Sequence, residues 1–350
     1  MRTSDGIATL LRPADATHNP AMTPFTALML TQAGRGTDAA LVTLDESALP
    51  DGNVDVRVEY SSLNFKDALA ITGRGAIVKR WPMVPGIDLA GIVERSAHPG
   101  WKPGDRVVVN GWGLGETHWG GLAQRARLDG DWLLALPAAY DSRQAMAIGT
   151  AGYTAALCVM ALQRHGLTPA DGPVLVTGAS GGVGSVAVVL LAGLGFQVAA
   201  STGRAEQAGY LRDLGAAEIV DRSSMATAGK PLQSERWAGV VDTVGSHTLA
   251  NACAATRWNG AIAACGLAQG ADLPATVLPF ILRGVTLYGI NCVFTPNGQR
   301  SQAWALLARH LPAATLERMT HEIGLGQAIT ASGDLLDGRL RGRTVVAVDR

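Results

Sequence analysis

The sequence predicts an α/β protein of two domains, one rich in short β-strands and one built on a doubly wound parallel sheet. Three observations carry this reading. The chain has 350 residues, more than a single hydrophobic core usually organises. Its first third breaks into short apolar runs separated by Pro-Gly turns. From residue 141 onward, apolar strands and helices alternate in the rhythm of βαβ units.

The β-rich part begins after a polar extension over 1–23, which lacks the apolar stretch of a signal peptide. Runs at 25–31, 54–60, 91–94 and 106–109 have the composition of strands, and turns fall at Pro85-Gly86, Pro99-Gly100 and Pro103-Gly104. The texture changes at Asp141, which with Ser142 offers a cap for a helix over 141–160. Strands are then expected at 173–176, 197–201, 218–220, 240–242, 261–264 and 285–290. Helices at 183–194, 205–214 and 246–256 connect them. Continuously apolar strands of this kind belong to a parallel sheet covered on both faces. A helix at 299–311 and a strand at 344–348 return to the first domain, giving one domain of 1–145 with 295–350 and another of 146–294.

Residues 172–203 carry no charge and are long enough to suggest a membrane span. Gly178, Gly181, Gly182 and Gly184 crowd the middle of this stretch. They divide it into strand, turn and helix, so no span is expected. A formal net charge of zero with 17% charged residues gives no electrostatic footprint for nucleic acid. Cys158, Cys253, Cys265 and Cys292 form no C-x-x-C pair and no disulfide-like spacing. A reducing cytoplasm is therefore the expected location.

The strongest local signal is VLVTGASGGVG over Val174–Gly184, an A-x-G-x-x-G loop that follows a buried strand and opens an apolar helix. Gly181 lets the backbone approach a pyrophosphate, and Gly184 lets helix and strand pack closely. Ser180, Gly182 and Val183 complete the cradle at the positive end of the helix. An NAD site usually ends its next strand with Asp or Glu for the ribose 2′-OH. Here that strand ends in Ser201, Thr202, Gly203 and Arg204, with Arg222 just past the third strand. Two hydroxyls and a guanidinium, with no carboxylate, favour a 2′-phosphate and hence NADPH. The bland alternative for Arg204 is a helix-surface charge.

YSSLNFKDALAITG (Tyr60–Gly73), VPGIDLAG (Val84–Gly91), TAGYTA (Thr150–Ala155) and VDTVG (Val241–Gly245) accompany the glycine loop. Together these resemble the zinc-independent, quinone-oxidoreductase branch of the medium-chain dehydrogenases/reductases, and most closely its NADPH-dependent acryloyl-CoA reductases. The resemblance runs from Phe25 to the end of the chain. It implies a GroES-like β-rich catalytic domain with a Rossmann NADP-binding domain, usually as a homodimer. It also implies reduction of an activated C=C bond, with acryloyl-CoA to propanoyl-CoA as the named case. A quinone reductase, and an NADPH-binding sensor or structural protein without turnover, are the other readings.

Zinc-dependent relatives place a Cys near Asn64 and a His in a G-H-E sequence, which here reads Gly86-Ile87-Asp88. Zinc needs three or four converging ligands, and no such set is present in the sequence, so no metal is expected. By resemblance Asn64, Phe65 and Asp67 face the nicotinamide. Asn64 is the candidate donor to a substrate oxygen, and Phe65 packs on the ring where many relatives carry Tyr. Asp67 is either a catalytic acid or the N-terminal cap of a short helix. Thr150 belongs to the cofactor side. Gly266, Leu267, Asn291 and Cys292 follow the fifth and sixth strands, where parallel sheets bind ligands. Cys292, without a nearby base, reads as packing. Arg339, Arg341 and Arg343 serve a cofactor or CoA phosphate, or form a solvated basic turn. The Gly-rich loop around Trp112 and Trp119 either lines a cleft or simply connects strands.

Overall fold

The structure, a computed structural model, describes residues 24–34 and 36–350. The polar extension expected over 1–23 lies outside the described residues. The hairpin β1 (Phe25–Ala33) and β2 (Gly36–Leu44) precedes strands β3 (Val54–Leu63), β4 (Asp88–Ser96), β5 (Arg106–Asn110), β6 (Arg125–Leu128) and β7 (Leu134–Ala135). One short helix, α1 (Phe65–Ile71), sits between β3 and β4. The long helix α2 (Ser142–His165) then opens the alternating part. There β8 (Val174–Val176), α3 (Gly182–Gly193), β9 (Val198–Thr202), α4 (Ala208–Asp213) and β10 (Glu218–Asp221) follow in turn. Next come β11 (Trp237–Asp242), α5 (Ser246–Ala255), β12 (Thr256–Ala264), α6 (Leu278–Arg283) and β13 (Thr286–Gly289). The chain closes with α7 (Asn297–His310), α8 (Ala313–Met319), β14 (Thr320–Gly324), α9 (Ala328–Leu336) and β15 (Arg343–Ala347).

Two larger sheets result. One has the order β14-β15-β3-β4-β5-β7, with β6 also paired to β3. Along β3, Val54, Val56 and Val58 are buried and alternate with half-buried residues, as expected of a strand with one face on a core. The other is fully parallel in the order β10-β9-β8-β11-β12-β13. Every residue of β8, β9 and β11 is buried, because helices cover both faces. Its strand order reverses between β8 and β11, and the crevice beyond the carboxyl ends at such a reversal is where these sheets hold ligands.

Helix α2 joins the two sheets, touching β3, β4 and β15 of the first and β11 and β12 of the second. The Asp141 side chain caps it by accepting from the Gln144 amide at 2.7 Å, and Gly166 ends it at φ 100°. It is long and apolar enough to cross a membrane, yet its whole apolar window is buried inside the fold. Its hydrophobicity is that of a helix packed on all sides.

Several elements differ from the sequence reading, among them helices α6, α8 and α9, which it did not contain. Strands β2 and β14 were not foreseen: β2 is half exposed, and β14 (Thr-His-Glu-Ile-Gly) is short and polar. Helix α2 runs on to His165 and bends at Gly149. Only the strand β15 with β14 returns to the first sheet. Helix α7 lies against α2 and α3, because Ala303, Trp304 and Leu307 supply an apolar face that buries in the core around α2, while its Arg300 and Asn297 bond the Asn110 and Asp131 carbonyls of the first domain.

Candidate active site at the break in the long helix

The glycine loop leaves β8 and enters α3, with Gly181 in extended conformation at the N-cap. The amides of Gly182, Val183 and Gly184 occupy the first turn, where a helix has no partner of its own for them. A Cβ on Gly184 would lie 2.6 Å from the Ala179 Cα, so only glycine lets α3 approach β8 this closely. Ser180 Oγ lies 3.3 Å from Thr202 Oγ1, which ties the loop to the end of β9.

At that end Ser201 and Thr202 are buried. Thr202 Oγ1 also accepts from the Arg204 amide at 3.2 Å. The Arg222 side chain lies against Gly203, whose Cβ would meet Arg222 Nε at 2.6 Å. The Arg204 guanidinium makes one long contact, 3.4 Å, to the Leu340 carbonyl. Among the described residues neither Arg204 nor Arg222 forms an ion pair, whereas Arg339 is held by Asp334 and Asp337. Arg204 and Arg222 thus stand near the end of β9 without a carboxylate partner, and a guanidinium so placed suits a phosphate.

The second group gathers around Gly149, where α2 is broken at φ 50° and ψ −161°. Asp88, fully buried at the start of β4, is its centre. Asp88 Oδ2 accepts from the Thr150 amide at 2.6 Å and from Asn64 Nδ2 at 3.2 Å. Its other oxygen accepts from Ser62 Oγ at 2.8 Å. Arg343 enters from β15, donating from Nε to the Ala147 carbonyl at 2.8 Å and from Nη2 to Ser62 Oγ at 2.9 Å. Its Nη1 donates to Asn64 Oδ1 at 3.2 Å. The same Nη1 lies 3.0 Å from where a Gly182 Cβ would stand, so this cation spans the helix break and the glycine loop. Arg341 is instead exposed, stacked at 5.1 Å over Tyr210.

The two candidates of the Asn-Phe-Lys-Asp segment are used inward. Asn64 Nδ2 faces Ser62 Oγ, Asp67 Oδ2 and Asp88 Oδ2 at 3.1, 3.1 and 3.2 Å, so three acceptors compete for its two hydrogens. The reading of Asn64 as a free donor to substrate is corrected accordingly. Of the alternatives for Asp67, the structure takes the cap. Asp67 Oδ2 accepts from the Asn64 amide at 2.9 Å, and Oδ1 accepts from the amides of Gly86 and Ile87 at 3.1 and 2.9 Å. At 1% exposure with both oxygens engaged, it has no route to substrate as an acid. Phe65 by contrast is 47% exposed, available to lie on a ring.

Burial, then the neighbouring charge of Asp88, push the Asp67 carboxyl up to about 7 from 3.8. Between those two values the folded protein holds a proton that the unfolded chain has lost. The stabilisation from this group is therefore complete below pH 3.8 and is lost as pH rises through about 7. We expect the urea midpoint of the protein to fall relative to that of Asp67→Asn as pH rises from about 5 to about 8. Parallel profiles for the two proteins would remove this assignment.

At the carboxyl ends of β12 and β13, Gly266 packs on the Thr243 backbone and Leu267 is 60% exposed. Asn291 is not free: its Oδ1 accepts from the amides of Val293 and Phe294 at 2.8 and 3.2 Å, shaping its own loop. Burial raises the Cys292 thiol above its ordinary range, partly offset by a hydrogen bond to Thr154, and this is a packed thiol rather than a nucleophile.

Comparison with known proteins matches this arrangement. Residues 50–138 match the alcohol dehydrogenase GroES-like domain, and residues 182–309 match the zinc-binding dehydrogenase family. The chain is 50% identical over 323 residues to the probable acrylyl-CoA reductase AcuI of Escherichia coli, covering 92% of this chain and 99% of that one. The chain belongs to the medium-chain dehydrogenase/reductase family. Acrylyl-CoA reductase AcuI of Ruegeria pomeroyi is 52% identical over 314 residues, 89% of this chain and 95% of that protein. The crystal structure of the yhdH oxidoreductase from Salmonella enterica in complex with NADP superposes with a TM-score of 0.91 at 51% identity, covering 92% of this chain and 99% of that one.

Within this medium-chain dehydrogenase/reductase, three features were missed in the sequence. Asp88 organises the helix break, and its signal was an acid directly before the apolar run Leu89–Val93. Gly149 makes the break, and its signal was a glycine in the middle of a helix pattern. Arg300, 1% exposed and bonded only to backbone carbonyls, had no local signal at all.

Proposed function

We propose that this enzyme uses NADPH to reduce the activated C=C bond of a small 2-enoyl-CoA, acryloyl-CoA to propanoyl-CoA. The observation that carries it is identity of 50 and 52% to two proteins named as acrylyl-CoA reductases, spanning nearly the whole of each chain. The fit of the cofactor rests on this chain's own residues. The amides of Gly182, Val183 and Gly184 with Arg343 Nη1 suit a pyrophosphate, and Ser201, Thr202, Arg204 and Arg222 suit a 2′-phosphate. NADPH, when bound, supplies the hydride for the β-carbon of the enoyl thioester, and a proton from solvent completes the α-carbon.

The protein's part is to hold and to polarise. Phe65 packs on the nicotinamide, and Thr150, with Gly266, Leu267 and Cys292, lines the end of the pocket. Asp88 holds the Thr150 amide, Asn64 braces Asp88, and Asp67 holds the amides of Asn64, Gly86 and Ile87, in place of reacting. No metal ligand is proposed: Ile87 stands where zinc-dependent relatives have His, and the Asn64 amide is engaged by Asp67 and Asp88.

The partner is inferred to be a second copy of this chain. Strand β13 is an open edge of the parallel sheet. Beside it Val277, Ile281 and Leu282 on or next to α6, at 64, 68 and 59% exposure, need cover from water. A solution mass equal to one 36.3 kDa chain would refute this. Four free cysteines favour the cytoplasm. The domain division we adopt is 1–145 with 295–350 against 146–294, with α2 and α7 lying between the two.

The test is NADPH oxidation in EDTA with acryloyl-CoA, with a benzoquinone as the parallel acceptor. Turnover with the thioester and little with the quinone is expected. Turnover with the quinone alone would overturn the substrate, and loss of activity in EDTA would overturn the metal-free reading.

A further inference from the structure

Among the described residues six buried side-chain polar atoms make no hydrogen bond, and three of them are Nδ2 of Asn110, Nε1 of Trp112 and Oγ1 of Thr150. Asn110 is 2% exposed and Thr150 8%. A buried donor without a partner lowers stability, so an unmade bond in a folded protein calls for an explanation. Asn110 is the cross-strand partner of Asp88, the residue that holds the Thr150 amide. On its other side, the Asn110 carbonyl accepts from Arg300 Nη1 at 2.5 Å. The Arg300 guanidinium lies 4.4 Å from the centre of the Trp112 ring. Asn110 thus stands between Asp88 with Thr150 on one side and Arg300 with Trp112 on the other.

Two further observations concern what belongs there. Trp112 is held at φ 56°, in the left-handed region that a large side chain rarely occupies. Strain of this kind persists only where the surroundings impose it. Arg300 has no carboxylate partner among the described residues. Its nitrogens are filled by the carbonyls of Thr295, Asn110, Cys292 and Val293. Those carbonyls each accept from Arg300, and both oxygens of Asp88 are engaged as well. What is left is two N–H donors, which can accept nothing, and the Thr150 hydroxyl, which can donate, beside a buried cation.

We infer that Asn110 and Trp112, with Thr150, are the hydrogen-bond donors for the thioester carbonyl oxygen of the substrate. The inference rests on the enoyl-CoA reading above. An oxygen that only accepts fits this set. Hydride addition to the β-carbon moves an electron pair onto that carbonyl oxygen as the enolate forms. Fixed donors aimed there, with the Arg300 charge behind them, stabilise the transition state more than the ground state. The enolate then collapses as the α-carbon takes up a proton, and the donors are released unchanged.

The experiment compares the wild-type enzyme with Asn110→Leu and Trp112→Phe. Both substitutions remove the donor, Asn110→Leu with the shape nearly kept and Trp112→Phe with an aromatic ring kept, and the Asn110 carbonyl that holds Arg300 is untouched. Three quantities are read: kcat and KM with acryloyl-CoA, the NADPH Kd by nucleotide fluorescence, and Tm without ligand. We expect kcat to fall about 100-fold in Asn110→Leu and about 10-fold in Trp112→Phe, the range for loss of one oxyanion donor. NADPH Kd should stay within about twofold. Tm of Asn110→Leu should hold or rise by a few degrees, since an unpaired buried amide has been removed. A kcat within about threefold of wild type in both variants overturns the inference, because the site then holds only water. A fall in Tm with parallel losses of kcat and NADPH binding overturns it too, assigning Asn110 to the framework. A wild-type enzyme without turnover overturns the substrate reading itself, a result distinguishable from either.

Discussion

Replacing Arg204 with aspartate should raise the Kd for NADPH about 100-fold and change that for NADH less than about threefold. A charge-assisted hydrogen bond to an ionised group is worth roughly 1.5–3 kcal/mol, and 1.4 kcal/mol is tenfold in affinity. Loss of the Arg204 contact alone would accordingly cost about 10- to 100-fold. The new carboxylate adds repulsion against a 2′-phosphate, although Arg204 is only half-buried and solvent screens part of it. NADH lacks that phosphate, and an acid at this position can accept from its ribose hydroxyl. Arg222 stands against Gly203 as a second cation, so Arg222→Ala combined with Arg204→Asp should deepen the switch rather than merely repeat it. Equal losses for both nucleotides, measured by fluorescence titration, would mean that Arg204 acts through the fold of the β9 end.

How much of this was legible follows from the range over which each interaction acts. The glycine loop was readable because strand, turn and helix are contiguous: all the constraints on Gly184 come from Gly178 and Ala179, within six residues. The hydroxyls and guanidinium of Ser201–Arg204 are contiguous in the same way. Strands β8, β9 and β11 showed as unbroken apolar runs because both faces are covered. The helix break was not, since one glycine in a helical pattern costs only about 1 kcal/mol and does not mark an end. Asp67 left two roles open, because an Asp three residues into a helix reads alike as cap or acid until the amides of Gly86 and Ile87 are seen to fill its second oxygen. Arg343 meets Asn64 across 279 residues of sequence and Arg300 meets Asn110 across 190. A side chain's partner at that distance is set by the tertiary fold, so the basic run near Arg343 stayed divided between phosphate contact and solvated turn.

Gly184→Val should lower NADPH affinity by more than about 100-fold and destabilise the protein by about 2–4 kcal/mol, in the range for overpacked cores. The new Cβ would meet backbone, the Ala179 Cα at 2.6 Å and the Gly178 carbonyl carbon at 2.9 Å. Neither can rotate away as a flexible side chain would, so α3 must move off β8. That shift displaces the first-turn amides of Gly182 and Val183 from the position that suits a pyrophosphate. It also disturbs the contact between Gly182 and Arg343, through which the helix break at Gly149 is joined to the loop. Two readouts separate these effects. Titration with NADPH reports the loop, and urea unfolding reports the packing. Gly209→Val serves as the control, because that glycine lies in α4 with nothing within 4 Å of its Cβ position, and its cost should be no more than helix propensity, under about 1 kcal/mol in either direction. If Gly184→Val bound NADPH as the wild type does while losing stability, the pyrophosphate would not rest on this helix terminus, and the site would have to be sought elsewhere along the carboxyl edge of the parallel sheet.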